Sequence, residues 1–572
     1  MKLLDKINEL IQLSNRKSSI LYWRISPATI RLRITILIIM FILFFIIIFI
    51  RIVSISLFPS NYSNNSSNAS IKRLDIIDRN SNLLAVTLPS SSLYAVPKDV
   101  LLPEMQAQKL VQIFPTLNKN DLLKKLKSDK NFVWIKRDIS PLEKQKIYNL
   151  GLVGFNFERE QKRFYTYGNL LSHVIGYVGR DMQGLAGVEK YYNKFLTMQS
   201  EIEDRSDFGD NLQLSIDVRI QNILDDEISK TIEKFSAKGA AAIVVNPKNG
   251  EVLGLVSKPN FDPHNPGKAE DDQLFNIATQ GVYELGSSMK GLTVAIGIDS
   301  KATSIYDVYD LSYMKVGGFQ IKDTHKATGW HPLPYLFLKS SNIGMVQIIF
   351  EIGKDNFMKY LKKLGMLDTL KIDLQERARP LFPPTANITD LGLSTISYGY
   401  GISVSPAHVV QAMIPVVNGG VAYPITLLKQ KNQTNGTRVL NESTSKDLRK
   451  LLRLGVAKGT GKKAEIKGYY VGGKTGTANI AVSGKYDKKK RVSSFMGILP
   501  ATDPEYLIYV VLNQPVGIKE TFGFAGGAWT AAPTVSAILK RIIALVGMKP
   551  LDPNSKEVIN LNDIEYDIGN ET

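Results

Sequence analysis

A chain of 572 residues has room for two to four domains, and apolar and charged shares of 44% and 22% exclude a largely disordered polymer. With no cysteine it holds no disulfide, no thiolate nucleophile and no Cys-based zinc or iron–sulfur site. The formal charge of +18 is spread along the chain as lysine, which admits an anionic wall-type polymer, lipid headgroups or nucleic acid as partner and selects none of them.

The first predicted element is a membrane anchor. Residues 34–50 are apolar apart from Thr35, and 52–58 continue the run beyond Arg51. A crossing needs about 20 such residues, which the run supplies if Arg51 snorkels to the outer interface. Lys2, Lys6, Arg16, Lys17, Arg24, Arg31 and Arg33 precede it, against only Asp5 and Glu9. The positive-inside rule then predicts a cytoplasmic leader over 1–33, a single-pass anchor over 34–58 in the bacterial inner membrane, and an extracytoplasmic remainder. A cleaved signal peptide is the rival reading. Its apolar core runs to roughly 7–15 residues before an Ala-x-Ala-like site, and this run is longer with no such site close behind.

Asn and Ser dominate 59–70, a solvated linker. From 71 to 216 the pattern is mixed, with strands expected at 83–88 and 132–135 and helices at 106–113 and 121–126. No catalytic constellation occurs there, so this part reads as a non-catalytic pedestal for the larger domain after it. A helix over 217–236 opens that domain, 217–548. Two strands within 239–257 flank a turn at 246–250, and helices are expected at 289–298, 343–364, 406–418 and 531–546. Further strands are expected at 469–472, 493–499 and 506–513. Strands at both ends of a domain with helices between them predict an α/β class: an antiparallel sheet built from distant segments and flanked by helices. Residues 549–572 read as a loose polar tail.

Three short motifs succeed one another in the larger domain. Ser287-Ser-Met-Lys290 stands at the start of a helical run, where Ser and Lys three apart share a face, so the lysine can reach the serine hydroxyl. A helix N-terminus and burial both disfavour the ammonium form and would ready Lys290 to take a proton. Ser340-Ser-Asn342 lies at a break between an apolar stretch and a helix, and Lys474-Thr475-Gly476-Thr477 lies in a strand-like run. Each alone has a bland explanation: a helix cap beside a surface lysine, a turn, a strand glycine. Residues 468–475 also match the phosphate-loop pattern G-x-x-x-x-G-K-T. That motif needs a strand before it and a helix after it, and here aromatic and β-branched residues fill the supposed loop. Of the five histidines, no pair has metal-ligand spacing.

In order and spacing, the three motifs resemble those of the penicillin-recognising serine acyltransferases, and the chain as a whole resembles the class B penicillin-binding proteins. Gly184-Leu-Ala-Gly-Val-Glu189, residues 398–406 and 495–500 add to the likeness, while Leu285 and Thr166 stand where many relatives have proline. The resemblance implies a serine-type D-Ala-D-Ala transpeptidase in which Ser287 is acylated, Lys290 is general base and Ser340 relays a proton. Asn342 would hold the donor peptide, Lys474 would supply positive potential, and Thr475, Gly476 and Thr477 would bind the substrate carboxylate and complete an oxyanion hole. It implies no cofactor or metal. The implied partners are peptidoglycan stem peptides, β-lactams, the inner membrane, a glycan polymerase of the SEDS type and other division proteins. An external site argues against nucleic acid. Within the family, the septal cell-division member is favoured by the short leader and the Glu284-Leu-Gly-Ser287 variant. An elongation-specific enzyme or a membrane-anchored β-lactam sensor are the alternatives.

Overall fold

A computed structural model describes residues 27–57, 73–197, 211–431, 435–482 and 485–564. Residues 1–26 of the predicted leader 1–33 and the predicted linker 59–70 therefore lie outside the described residues, and 27–33 belong to the first helix.

Helix α1 (Pro27–Leu57) is continuous over 31 residues, and the side chains described on it, 35–50, are all exposed. Among the described residues no helix is long and apolar enough to cross a membrane.

Residues from 71 onward form a separate unit. Its pedestal is a sheet of β1 (Asp75–Ile77), β2 (Leu83–Ala95), β3 (Val133–Ile139), β4 (Phe155–Tyr165) and β5 (Asn211–Gln213). The long β2–β4 ribbon runs antiparallel from Ala85 opposite Tyr165 to Ala95 opposite Phe155. At its far end helices Pro103–Ile113, Lys119–Leu126 and Pro141–Tyr148 enclose a small core including Leu110, Phe114, Leu126 and Ile139. At its near end a buried ion cluster ties three segments together. Glu189 accepts from Arg73 Nε at 2.5 Å and from Arg163 Nε at 2.7 Å, and all three side chains are almost fully enclosed. The pedestal is stitched to the larger domain by Tyr192, whose hydroxyl donates to Asp373 at 2.8 Å, and by the Arg79–Glu251 pair.

The larger domain begins with α2 (Val218–Phe235), capped by Asp217, whose side chain accepts from Arg219 N, and closed by left-handed Ser236. Next come the hairpin β6 (Gly239–Val245) and β7 (Val252–Lys258), then helices α3 (Met289–Asp299), α4 (Leu333–Lys339), α5 (Asn342–Ile352), α6 (Pro406–Val417) and α7 (Glu442–Ala457). Strands β8 (Gly472–Val482), β9 (Lys485–Leu499) and β10 (Tyr506–Asn513) precede α8 (Ala531–Val546). All neighbours in the sheet, ordered β8-β9-β10-β6-β7, are antiparallel. Alternation on the central strands explains the layers. Ala240, Ala242 and Val244 join a core with Leu224 of α2 and Ile538 of α8. Ala241, Ile243 and Val245 join the other, with Leu292 of α3 and Val410 of α6. Both faces are covered, which is why these strands read as unbroken apolar runs.

Four expectations change. The helix expected over 343–364 is two, α5 and Lys354–Lys363, because Gly353 between them has φ +79° and ends the first. Residues 469–471 turn rather than form a strand; Tyr470 is left-handed, and β8 starts at Gly472. The strand expected at 493–499 begins earlier, at Lys485, as β9, where the pairing jumps from Asn479–Arg491 to Ile480–Asp487 and leaves an intervening bulge. The tail is ordered through a further helix, Lys556–Asn562, whose Val558 and Leu561 are buried with Ile564. Its signal is the apolar spacing of three within a polar stretch.

Candidate active site

The segment that carries the first motif passes through a 3-10 turn, Gly286–Ser288, into α3. Gly286 has φ +49°, its N–H donates to Gly399 O at 3.0 Å, and a Cβ there would lie 2.3 Å from the Thr477 carbonyl oxygen. Only glycine fits, and the turn is thereby pressed against β8. From the β8 side, a Cβ on Gly476 would lie 2.3 Å from Ser288 Oγ and 3.0 Å from the Leu285 carbonyl oxygen. Ser287 is thus bracketed against the Lys-Thr-Gly strand by both of its neighbours. It is half-buried, and its hydroxyl has no hydrogen bond among the described residues. Ser288 turns inward, 3.2 Å from Ser494 Oγ.

One turn along α3, Lys290 reaches the second motif. Its Nζ donates to Asn342 Oδ1 at 2.8 Å, to Ser340 Oγ at 3.2 Å and to the Ser340 carbonyl at 2.5 Å. These three acceptors use all three ammonium protons. The expected reach to the Ser287 hydroxyl is therefore not made here, and it requires the lysine to release one of these bonds. Lys474 Nζ donates to the same Ser340 Oγ at 3.0 Å. The residues between α4 and α5 divide the work. Ser341 is the helix cap, its Oγ accepting from Gly344 N at 3.0 Å, while Ser340 is left-handed at φ +57°. That uncommon backbone for a non-glycine residue turns the Ser340 hydroxyl to the lysines.

Lys290 and Lys474 are 1% and 2% exposed. Burial pushes the Lys474 ammonium down to about 7. Burial pulls Lys290 well below its ordinary value, the Lys474 charge pulls it further, and Asp323 opposes both.

On β8, Thr475 Oγ1 shares a hydrogen bond with Thr460 Oγ1 at 2.7 Å, and Thr477 Oγ1 accepts from Gly527 N at 3.0 Å. Because β8 is the outer strand of its sheet, its free edge can pair with an extended peptide lying beside Ser287. Lys474 sits on an antiparallel strand with no helix following, so the phosphate-loop reading has no structural counterpart. The structure thus brings Ser287, Lys290, Ser340, Asn342, Lys474, Thr475, Gly476 and Thr477 to one edge. Sequence reasoning missed Thr460, Gly527 and Asp323, which belong to no motif; they meet the site only through the fold.

A serine, two buried lysines and a shared hydroxyl on the edge of an antiparallel sheet define a serine acyltransferase of the penicillin-recognising class. Residues 240–540 match the family described as Penicillin binding protein transpeptidase domain, and residues 69–206 match the Penicillin-binding Protein dimerisation domain. The chain belongs to the class B penicillin-binding proteins. The "Probable peptidoglycan D,D-transpeptidase FtsI" of Caulobacter vibrioides is 36% identical over 490 residues, 83% of this chain and 82% of that one. The "Probable peptidoglycan D,D-transpeptidase PenA" of Neisseria gonorrhoeae is 30% identical over 504 residues, 84% and 85% of the two chains. A crystal structure of a peptidoglycan synthetase from Bifidobacterium adolescentis shares the fold, with a TM-score of 0.66 at 21% identity, covering 85% of this chain and 98% of that one.

Proposed function

We propose that this chain is a peptidoglycan D,D-transpeptidase that cross-links D-Ala-D-Ala stem peptides during septal wall synthesis, anchored in the inner membrane by α1. The observation that carries the chemistry is the meeting of Lys290 and Lys474 on Ser340 Oγ beside the Ser287 turn. Ser287 Oγ attacks the carbonyl carbon between the two D-Ala residues, and its proton passes to neutral Lys290, a role worth about 10²–10⁴-fold. The oxyanion is held by the N–H groups of Ser287 and Thr477, each worth roughly 3–4 kcal/mol in comparable sites. With both lone pairs of Ser340 Oγ taken by lysine donors, its own proton points away from them and goes to the departing D-Ala amine as the C–N bond breaks, and Lys290 passes to Ser340 the proton it took from Ser287. The amine of a second stem then attacks the acyl-enzyme, forms the cross-link and returns the proton to Ser287. Asn342 holds the donor peptide, and Lys474 with Thr475, Gly476 and Thr477 receives the terminal carboxylate. β-Lactams enter by the same route and remain on Ser287.

The anchor reading rests on the apolar side chains exposed along α1 and on the basic residues before it. The septal role rests on the family likeness and on the similarity to the FtsI chain; a SEDS-type polymerase and other division proteins are the partners it entails. Incubating the full chain with a pentapeptide stem and an acceptor stem should release one D-Ala per cross-link, with a stem-peptide adduct on Ser287 by mass spectrometry. Absence of both products rejects the activity. Depletion in growing cells should give long filaments, and round cells would instead assign the enzyme to the lateral wall.

A further inference from the structure

The loop 322–329, between strands Phe319–Ile321 and Trp330–Pro332, enters the site from outside the three motifs. Asp323 Oδ1 accepts the backbone N–H of Asn342 and, at 3.1 Å, that of Ile343, while Oδ2 accepts the Ser341 hydroxyl at 2.6 Å. These donors form the first turn of α5, where a carboxylate is favoured both by the free N–H groups and by the helix dipole. The preceding residue completes the grip. The Lys322 carbonyl accepts Asn342 Nδ2 at 2.8 Å, which leaves Asn342 Oδ1 facing Lys290 at 2.8 Å. Backbone and amide of Asn342 are therefore both held by one loop dipeptide, and left-handed Ser340 stands two residues before Asn342.

We propose that Asp323 is a positioning residue for acylation, fixing Ser340 and Asn342 on Lys290 and serving as the anion that faces this lysine. The proposal deepens the transpeptidase reading and rests on it. Two charged groups act on Lys290: Lys474 from β8, which drives its proton off, and Asp323 from the loop, which retains it. Ser340 and Asn342, the other groups on its Nζ, are uncharged, and His325 and Lys326 come after Asp323 on the same loop. A lysine with a lowered pKa is neutral, and able to act as base, above that value. Taking away the Asp323 charge lowers the value further and extends the basic form to more acid pH.

The test is the rate of acylation by a fluorescent penicillin against pH, using the detergent-solubilised full chain. Asp323→Asn keeps an acceptor for the two backbone N–H groups and loses the charge together with the oxygen that accepts the Ser341 hydroxyl. Its ascending limb should move about one pH unit lower. Asp323→Ala loses the grip as well and should slow acylation about 10²-fold across the profile, the cost of about 1 Å of misplacement. Asp323→Glu should recover most of that rate. A purely structural role would lower the melting temperature in all variants and leave the limb in place; that result, or an Asn profile superimposable on wild type, overturns the proposal. Labelling that survives Ser287→Ala overturns the site reading itself, and this inference with it.

Discussion

Ser287→Ala is expected to abolish covalent labelling by fluorescent penicillin, a fall of about 10⁶-fold where a nucleophile acts together with its base. The same substitution should leave the fold almost untouched. The Ser287 hydroxyl makes no hydrogen bond among the described residues, and the turn around it is held by the Gly286–Gly399 hydrogen bond and by contact with β8. Removing an unbonded, half-exposed hydroxyl falls within the small range of ordinary surface changes, about 0.5 kcal/mol. Activity lost at unchanged melting temperature is therefore the signature. Equal labelling of variant and wild type rejects Ser287 as nucleophile.

Glu189→Ala should show the opposite pattern, a large loss of stability far from the reacting groups. Its carboxylate pairs with both Arg73 and Arg163, and its own backbone carbonyl accepts Arg73 Nη2 at 2.7 Å. Arg73 also donates to Asn193 Oδ1 at 2.8 Å and to the Met182 carbonyl at 2.9 Å, so one guanidinium joins three stretches of the pedestal base. Truncation leaves two buried cations without an anion, which costs about 3–5 kcal/mol. Replacing all three residues by apolar side chains of similar volume should cost less than the single change, because no charge is then stranded. Chemical denaturation of the full chain measures both. A Glu189→Ala protein with the wild-type midpoint would show that the cluster does not hold the pedestal together.

The sheet was legible wherever burial on both faces produced an uninterrupted apolar run, as at β10, whose bounds of 506–513 match the pattern read from composition and alternation alone. Helix ends were legible where a side chain announces them, as Asp217 does for α2. What escaped depends on single backbone angles or distant partners. Gly353 and Tyr470 redirect the chain through φ values that no periodicity encodes. The site motifs could be ordered along the sequence, but their convergence came from family likeness, since Lys290, Ser340 and Lys474 meet across 50 and 134 residues of chain. Asp323 lies in a polar loop where an acid is ordinary, and only its three donors set it apart.

The pair of lysines at Ser340 makes this site a burden on the fold that surrounds it. In the unfolded chain both side chains keep their protons until about pH 10.4, whereas in the folded protein Lys474 gives up its proton near 7 and Lys290 is also depressed. Between those limits the unfolded chain binds more protons, so stability rises with pH across that window, and the penalty is fully present only below it. At neutral pH the enzyme thus holds its reactive centre in tension against its own core. In the proposed mechanism the substrate carboxylate received at Lys474 relieves that tension, which makes substrate a stabilising ligand as well as a reactant.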